Sequence, residues 1–265
     1  MRGFLLFDID GVLRDVTSSY RLAIQETVNH FSGWRPTLRN IDNLKAEGSW
    51  NNDWKASHEL ISRRQASEEI SKCTPNLEEV IKVFNHFYFG GDPTGNSQEW
   101  KGFIKNEPLL VNQDFFQVLT QEGFKWGFVS GAESSSAKFI LEERLSLKNP
   151  PLISMEDAPD KPNPTGLLKL SNQLAGKSLG KDMPPIAYLG DTVADIQTIK
   201  EARRENPEQI FISLAVAPPH LHDHKELKER RKYESILQKA GADLILQKTT
   251  DILKEIQSWE SIVIK

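Results

Sequence analysis

Two carboxylates two residues apart, Asp8 and Asp10, close an apolar run of Phe4, Leu5, Leu6 and Phe7 and lead into Gly11-Val12-Leu13. A strand alternates its side chains, so the two acids would face one side, where like charges repel unless a cation lies between them. This pairing suits cation-assisted phosphoryl transfer. Three later segments add matching groups behind apolar runs. Ser130-Gly131-Ala132 offers a hydroxyl beside a glycine whose backbone N–H can approach an anion closely. Asp160-Lys161-Pro162 offers one ammonium, and Gly190-Asp191-Thr192-Val193-Ala194-Asp195 offers two more carboxylates.

Short β-branched or aromatic runs must carry these groups: 4–7, 126–129, 152–154, 186–189, 210–216 and 242–246. Helix-spaced segments separate most of them, which predicts a parallel sheet covered by helices, an α/β doubly wound, Rossmann-like core. In such a sheet ligands gather at the carboxyl ends of the strands, where every candidate residue falls. Between Asp15 and Asn106 the strand signal vanishes, and 18–31, 37–46, 53–64 and 76–89 carry helical spacing. The chain is therefore expected to hold a catalytic core of 1–14 and 107–265, interrupted by an α-helical cap of 15–106. Hinges are expected near Asp15 and 105–108. Thr17 or Ser18 should cap the first cap helix, and Pro75-Asn76 should open the last.

With 33 basic and 37 acidic residues and a net charge of −4, the chain lacks the positive footprint of a nucleic-acid binder. At 38% hydrophobic content over 265 residues it can build a sizeable core. One cysteine, Cys73, excludes an internal disulfide framework. No apolar run approaches the ~20 residues of a membrane span. A cytoplasmic protein, monomeric or homodimeric, acting on a small phosphorylated metabolite without nucleic-acid or membrane partners, is the expectation.

The ordered set DIDGVL at 8–13, VSG at 129–131, KPNP at 161–164 and GDTVAD at 190–195 resembles the haloacid dehalogenase superfamily, in the branch with a helical cap inserted after the first motif. The resemblance implies that Asp8 is the nucleophile and carries a transient phosphoryl group, while Asp10 serves as general acid and then base, its carboxyl raised while Asp8 stays ionised. It implies phosphoryl binding by Ser130 and Lys161, with Gly131 beside them. It also implies Mg2+ held by Asp8, Asp10 (through its carbonyl), Asp191 and Asp195, the last directly or through water. Dehalogenases and phosphonate-cleaving enzymes of this branch lack an aspartate two residues after the nucleophile, so Asp10 favours a phosphatase. A phosphomutase of the same family, or a non-catalytic phosphate-binding protein, is the alternative.

In capped relatives the loop equivalent to KAEGSWNNDW reads the leaving group. Lys45, Asn51, Asn52, Asp53 and Trp54 are thus substrate-binding candidates for a sugar, glycerol or glycolate phosphate, against the plainer reading of a helix cap at Asn52 or Asp53. Trp34, Trp50, Trp54 and Trp100 are expected to pack within the cap. His220, His222 and His224 read as a solvated loop, lacking partners for a metal site. Two features depart from the family pattern: Asn163 in the third motif, and a long polar stretch from 218 to 231.

Overall fold

The computed structural model describes residues 1–47, 50, 52–67 and 74–259. Among the described residues, six parallel strands form one sheet: β1 (Gly3–Phe7), β2 (Phe124–Val129), β3 (Leu152–Ile153), β4 (Ile186–Gly190), β5 (Phe211–Val216) and β6 (Leu244–Leu246), in the order β3-β2-β1-β4-β5-β6. β1, β4 and β5 are buried along their whole length. That explains their continuous rather than alternating apolar sequence, since helices cover a parallel sheet on both faces. The chain winds outward from β1 through β2 to β3, then restarts on the other side at β4. The strand order thus reverses beside β1, where a doubly wound sheet opens a crevice at its carboxyl edge.

The chain folds into two compact units, Met1–Asp15 with Pro108–Lys265, and Val16–Glu107. The first holds the sheet with its flanking helices α5 (Gln113–Gln121), α6 (Ser134–Lys138), α7 (Thr165–Ala175), α8 (Val193–Glu205) and α9 (Leu227–Ala240). Phe4, Leu6, Ile186 and Tyr188 pack with Leu167 and Leu170 of α7 and Ile199 of α8. Phe7 meets Phe115 and Phe116 of α5 edge-on at 5.8 and 5.9 Å, the arrangement aromatic pairs prefer over a face-to-face sandwich.

The second unit is helical: α1 (Tyr20–Ser32), α2 (Leu38–Ala46), α3 (Asp53–Ser67) and α4 (Leu77–Tyr88). Asn76 opens α4 with a reciprocal cap, its side chain accepting from the Glu79 N–H while Glu79 accepts from the Asn76 N–H. Thr17 and Ser18 do not cap α1. That helix starts after Ser19, whose hydroxyl is directed to the Val16 carbonyl and the buried Glu107 carboxylate, so it does not cap the helix N–H groups. Of the four tryptophans Trp100 is buried, while Trp34, Trp50 and Trp54 are half-exposed. Trp34 lies under the Arg64 guanidinium at 5.5 Å, and the Trp50 indole N–H donates to Glu47 at 3.1 Å. Cys73 and Asn51 lie outside the described residues. Among the described residues, no helix is long and apolar enough to cross a membrane.

Candidate active site

Register brings the four motifs together. Phe7 pairs with Phe128 on one side and Leu189 on the other, so Asp8, Ser130 and Asp191 leave three adjacent strands at the same edge. The backbone fixes each exit: the Asp8 N–H donates to the Leu189 carbonyl at 2.9 Å, and the Ser130 N–H to the Ile153 carbonyl at 3.0 Å. Lys161, from the loop after β3, reaches across to Asp8 Oδ1 at 2.9 Å and Asp195 Oδ1 at 2.7 Å.

Asp195 is saturated. Its Oδ1 accepts from Lys161 and lies 3.0 Å from the Tyr188 hydroxyl, which shares its one proton between Asp195 and the Val129 carbonyl. Its Oδ2 accepts from the Thr192 N–H at 3.0 Å and hydroxyl at 2.6 Å, while the Thr192 hydroxyl caps the Asp195 N–H in return. Asp195 therefore sits at the start of α8 and in the carboxylate cluster at once. With four donors already in place, Asp195 suits an outer role around a cation, oriented by Tyr188 and Thr192. Sequence reasoning passed over both of these residues, although Thr-x-x-Asp before a helical run is itself a capping signal.

Asp8, Asp191 and Asp195 are buried, and one carboxylate oxygen from each lies within 4.8 Å of the others. Burial raises the Asp8 carboxyl to about 7, with Asp195 and Asp10 adding repulsion and Lys161 opposing it. Burial, then Asp195 and Asp8, also holds Asp191 well above the carboxylate range. Asp195 moves the other way: against its burial, Lys161 and the Thr192 donors keep it low. Lys161, despite the desolvation that opposes its charge, is held firmly protonated by Asp195 and Asp8.

A divalent cation fits this cluster. Asp8 Oδ1 is buried without an aligned hydrogen-bond donor among the described residues, although Lys161 stands nearby as a charge. Two glycines make the room. A Cβ on Gly11, whose φ is +74°, would fall 2.0 Å from Asp191 Oδ2, and one on Gly190 would fall 2.2 Å from the Asp195 Cβ. Oxygen-only donors with space for retained water are what magnesium prefers. A pH prediction follows. The folded chain keeps a proton on Asp8 up to about pH 7 that the unfolded chain sheds near 3.8, so folding binds protons and this group's contribution to stability falls as pH rises between those values. Asp191 acts with the same sign, and so does Glu133, which burial and then Glu156 raise to about 7. Metal-free protein should melt lower at pH 8 than at pH 5.5, and magnesium should raise the melting temperature more at pH 8. Equal magnesium shifts at both pH values in a thermal melt would contradict this.

The remaining candidates are placed as follows. Ser130 is buried, and its Oγ accepts from the Ala132 N–H at 3.1 Å, leaving its proton to donate outward. A Cβ on Gly131 would meet nothing within 4 Å, so that backbone borders open space. The Asp10 side chain turns to Arg14, whose Nε donates to Asp10 Oδ1 at 2.6 Å. Burial thus raises Asp8, the carboxyl expected to stay ionised, while the Asp10 side chain is engaged by Arg14. A cation among Asp8, Asp191 and the Asp10 carbonyl would offset the burial, and the repulsion added to it, that keep Asp8 high. In the helical unit, Lys45 lies on α2, and Asn52 caps α3, its amide oxygen accepting from the Lys55 N–H at 3.0 Å. Asp53 begins α3 and Trp54 follows it, half-exposed. His220 and His224 are exposed, but His222 is half-buried with Nε2 2.8 Å from the Ala217 carbonyl, so that stretch is more ordered than a solvated loop.

Comparison with known proteins adds a family. A family model described as haloacid dehalogenase-like hydrolase matches residues 4–203. The chain is 31% identical over 245 residues to an imidazoleglycerol-phosphate dehydratase of Phytophthora nicotianae, covering 91% of this chain and 49% of that protein, so it spans about half the length of the curated relative it matches. Among solved structures, a phosphonoacetaldehyde hydrolase-like protein from Oleispira antarctica superposes with a TM-score of 0.68 at 15% identity, covering 98% and 93% of the two chains. The phosphatase Tt82 from Thermococcus thioreducens gives 0.59 at 21%, covering 89% and 99%. A hydrolase from Deinococcus radiodurans with bound phosphate and sodium gives 0.62 at 13%, covering 98% and 96%. At these identities the structural likeness speaks to the fold.

Proposed function

This chain belongs to the haloacid dehalogenase-like hydrolase family, and from that premise we propose that it is a magnesium-dependent phosphatase that splits the monoester of a small phosphorylated metabolite. The observation that carries the reading is the lysine bridge: Lys161 Nζ spans Asp8 and Asp195 at 2.9 and 2.7 Å at the mouth of β1. One ammonium among several buried acids leaves a site still short of positive charge, which a divalent cation would supply. Such a site can accept a phosphate dianion only with that help.

Asp8 attacks phosphorus in line, forming a P–O bond to its carboxylate as the ester oxygen leaves with the electrons of the broken bond. Asp10, entering this step protonated on the oxygen away from its Arg14 contact, gives the ester oxygen that proton. A water then attacks the aspartyl phosphate, Asp10 takes the proton back, and inorganic phosphate departs with Asp8 restored. Ser130 Oγ–H, the Gly131 backbone and Lys161 hold the non-bridging oxygens. Bound magnesium, held by Asp8, the Asp10 carbonyl and Asp191, would neutralise charge on the phosphoryl group and align it.

The substrate panel should cover sugar, glycerol and glycolate phosphates. It should add imidazoleglycerol phosphate, because the relative from Phytophthora nicotianae carries that compound in its name and the compound is itself a polyhydroxylated phosphomonoester. Phosphate release that needs magnesium and stops with chelator is the expected result. Transfer of phosphate between positions of a sugar bisphosphate without net release would favour mutase chemistry, and no turnover of any compound would favour a phosphate-binding role.

A further inference from the structure

Arg14 has no place in the chemistry above, yet it is the largest fully buried side chain among the described residues, at 0% exposure. A buried guanidinium gives up its hydration at a cost, and an apolar side chain of similar size commonly serves stability as well or better. Its presence calls for a role that an apolar side chain cannot fill. Arg14 Nε donates to Asp10 Oδ1 at 2.6 Å and Nη2 to the buried Ser136 Oγ at 2.9 Å. Ser136 lies on α6, the helix that follows Ser130-Gly131. The Arg14 backbone is fixed as well: its carbonyl accepts from the Gly11 N–H at 3.0 Å, its N–H donates to the Ile9 carbonyl at 3.3 Å, and it bridges to Leu109.

We propose that Arg14 is a positioning residue for the reaction: its guanidinium ties the Asp10 carboxylate to α6, fixing the acid-base group against the helix that follows the phosphoryl-binding loop. The inference rests on the phosphatase reading. Held at Oδ1, the carboxylate presents Oδ2 to the ester oxygen and later to water, and Arg14 touches neither. A displacement of about 1 Å in a reacting group can cost 100-fold in rate, so the hold matters even without substrate contact.

The test compares native protein, Arg14→Met, Arg14→Lys and Ser136→Ala, each also in an Asp10→Asn background. The substrates are p-nitrophenyl phosphate and glycerol 2-phosphate, with magnesium. Nitrophenolate leaves without a proton, so its first-turnover burst reports attack by Asp8 alone, whereas steady turnover needs Asp10 as base. Arg14→Met should lower kcat roughly 10- to 100-fold with KM changed less than about threefold, and leave the burst rate within about threefold of native. Arg14→Lys and Ser136→Ala, which keep charge or packing, should lose less. In the Asp10→Asn background each change should have little further effect, because the group being positioned is gone. Equal proportional losses in both backgrounds, a slowed burst, or a loss confined to KM would overturn the assignment and leave Arg14 a structural clamp. If Arg14→Met does not fold, Arg14→Lys and Ser136→Ala carry the same comparison. If native protein turns over neither, the same comparison is run with the panel compound it does hydrolyse; a native protein inactive on every compound would overturn the phosphatase reading, and the positioning role with it.

Discussion

Asp8→Asn is expected to abolish phosphate release, by roughly 10⁴-fold or more, because an amide cannot form the aspartyl phosphate. Stability should respond in the opposite sense from most active-site losses. Burial, with help from Asp195 and Asp10, drives the Asp8 carboxyl to about 7, so at pH 8 the metal-free fold holds a charge that its surroundings disfavour. Replacing it with a neutral isostere removes that penalty, while Lys161 keeps Asp195 as its partner. Metal-free Asp8→Asn should therefore melt at or above the native temperature at pH 8, lose that advantage at pH 5.5, and gain less from magnesium. Turnover above about 1% of native in a phosphate-release assay would remove Asp8 from the nucleophile's role.

Lys161→Met should damage both activity and fold. The ammonium is the one cation bonded to Asp8 and Asp195 among the described residues, and its loss strands two buried carboxylates. Breaking a buried ion pair from one side typically costs about 3–5 kcal/mol, or roughly 10 °C in melting temperature for a unit of this size. The loss should grow with pH, since Asp8 can relieve the imbalance by keeping its proton at pH 5.5 but not at pH 8. Magnesium should restore more melting temperature to the variant than to native protein, because the cation then replaces part of the missing charge. A variant that melts within about 2 °C of native at pH 8 would show that Lys161 does not balance the site.

Fold and site differ in how far the chain spells them out. Apolar runs buried on both faces can belong only to covered strands, and their alternation with helical spacing leaves a parallel sheet as the outcome; hence all six strands were legible from residues 4–246. Asp8 and Asp191 were legible for a related reason, since charges at the ends of buried strands are too costly to stand without partners, and Lys161, in the loop after β3, was legible as the cation such acids need. Family resemblance then supplied roles that spacing alone could not. The cap of α1 was not legible: Ser19 turns to Glu107, 88 residues away, a partner that no local pattern announces.

The architecture, a parallel sheet with its helical insertion, and the set of charged groups delivered to the strand ends follow from local pattern, because periodicity and turn chemistry act over a few residues. How those charges balance depends on contacts between distant parts of the chain. Lys161 meets Asp195 across 34 positions, Tyr188 crosses from one strand to Val129 on another across 59, and Arg14 reaches Ser136 across 122. Such pairs form because folding removes water from groups far apart in the chain and leaves them to satisfy one another. That is why Asp8 emerges as a raised acid, and why a buried arginine that spacing left unremarked lies against the acid-base residue.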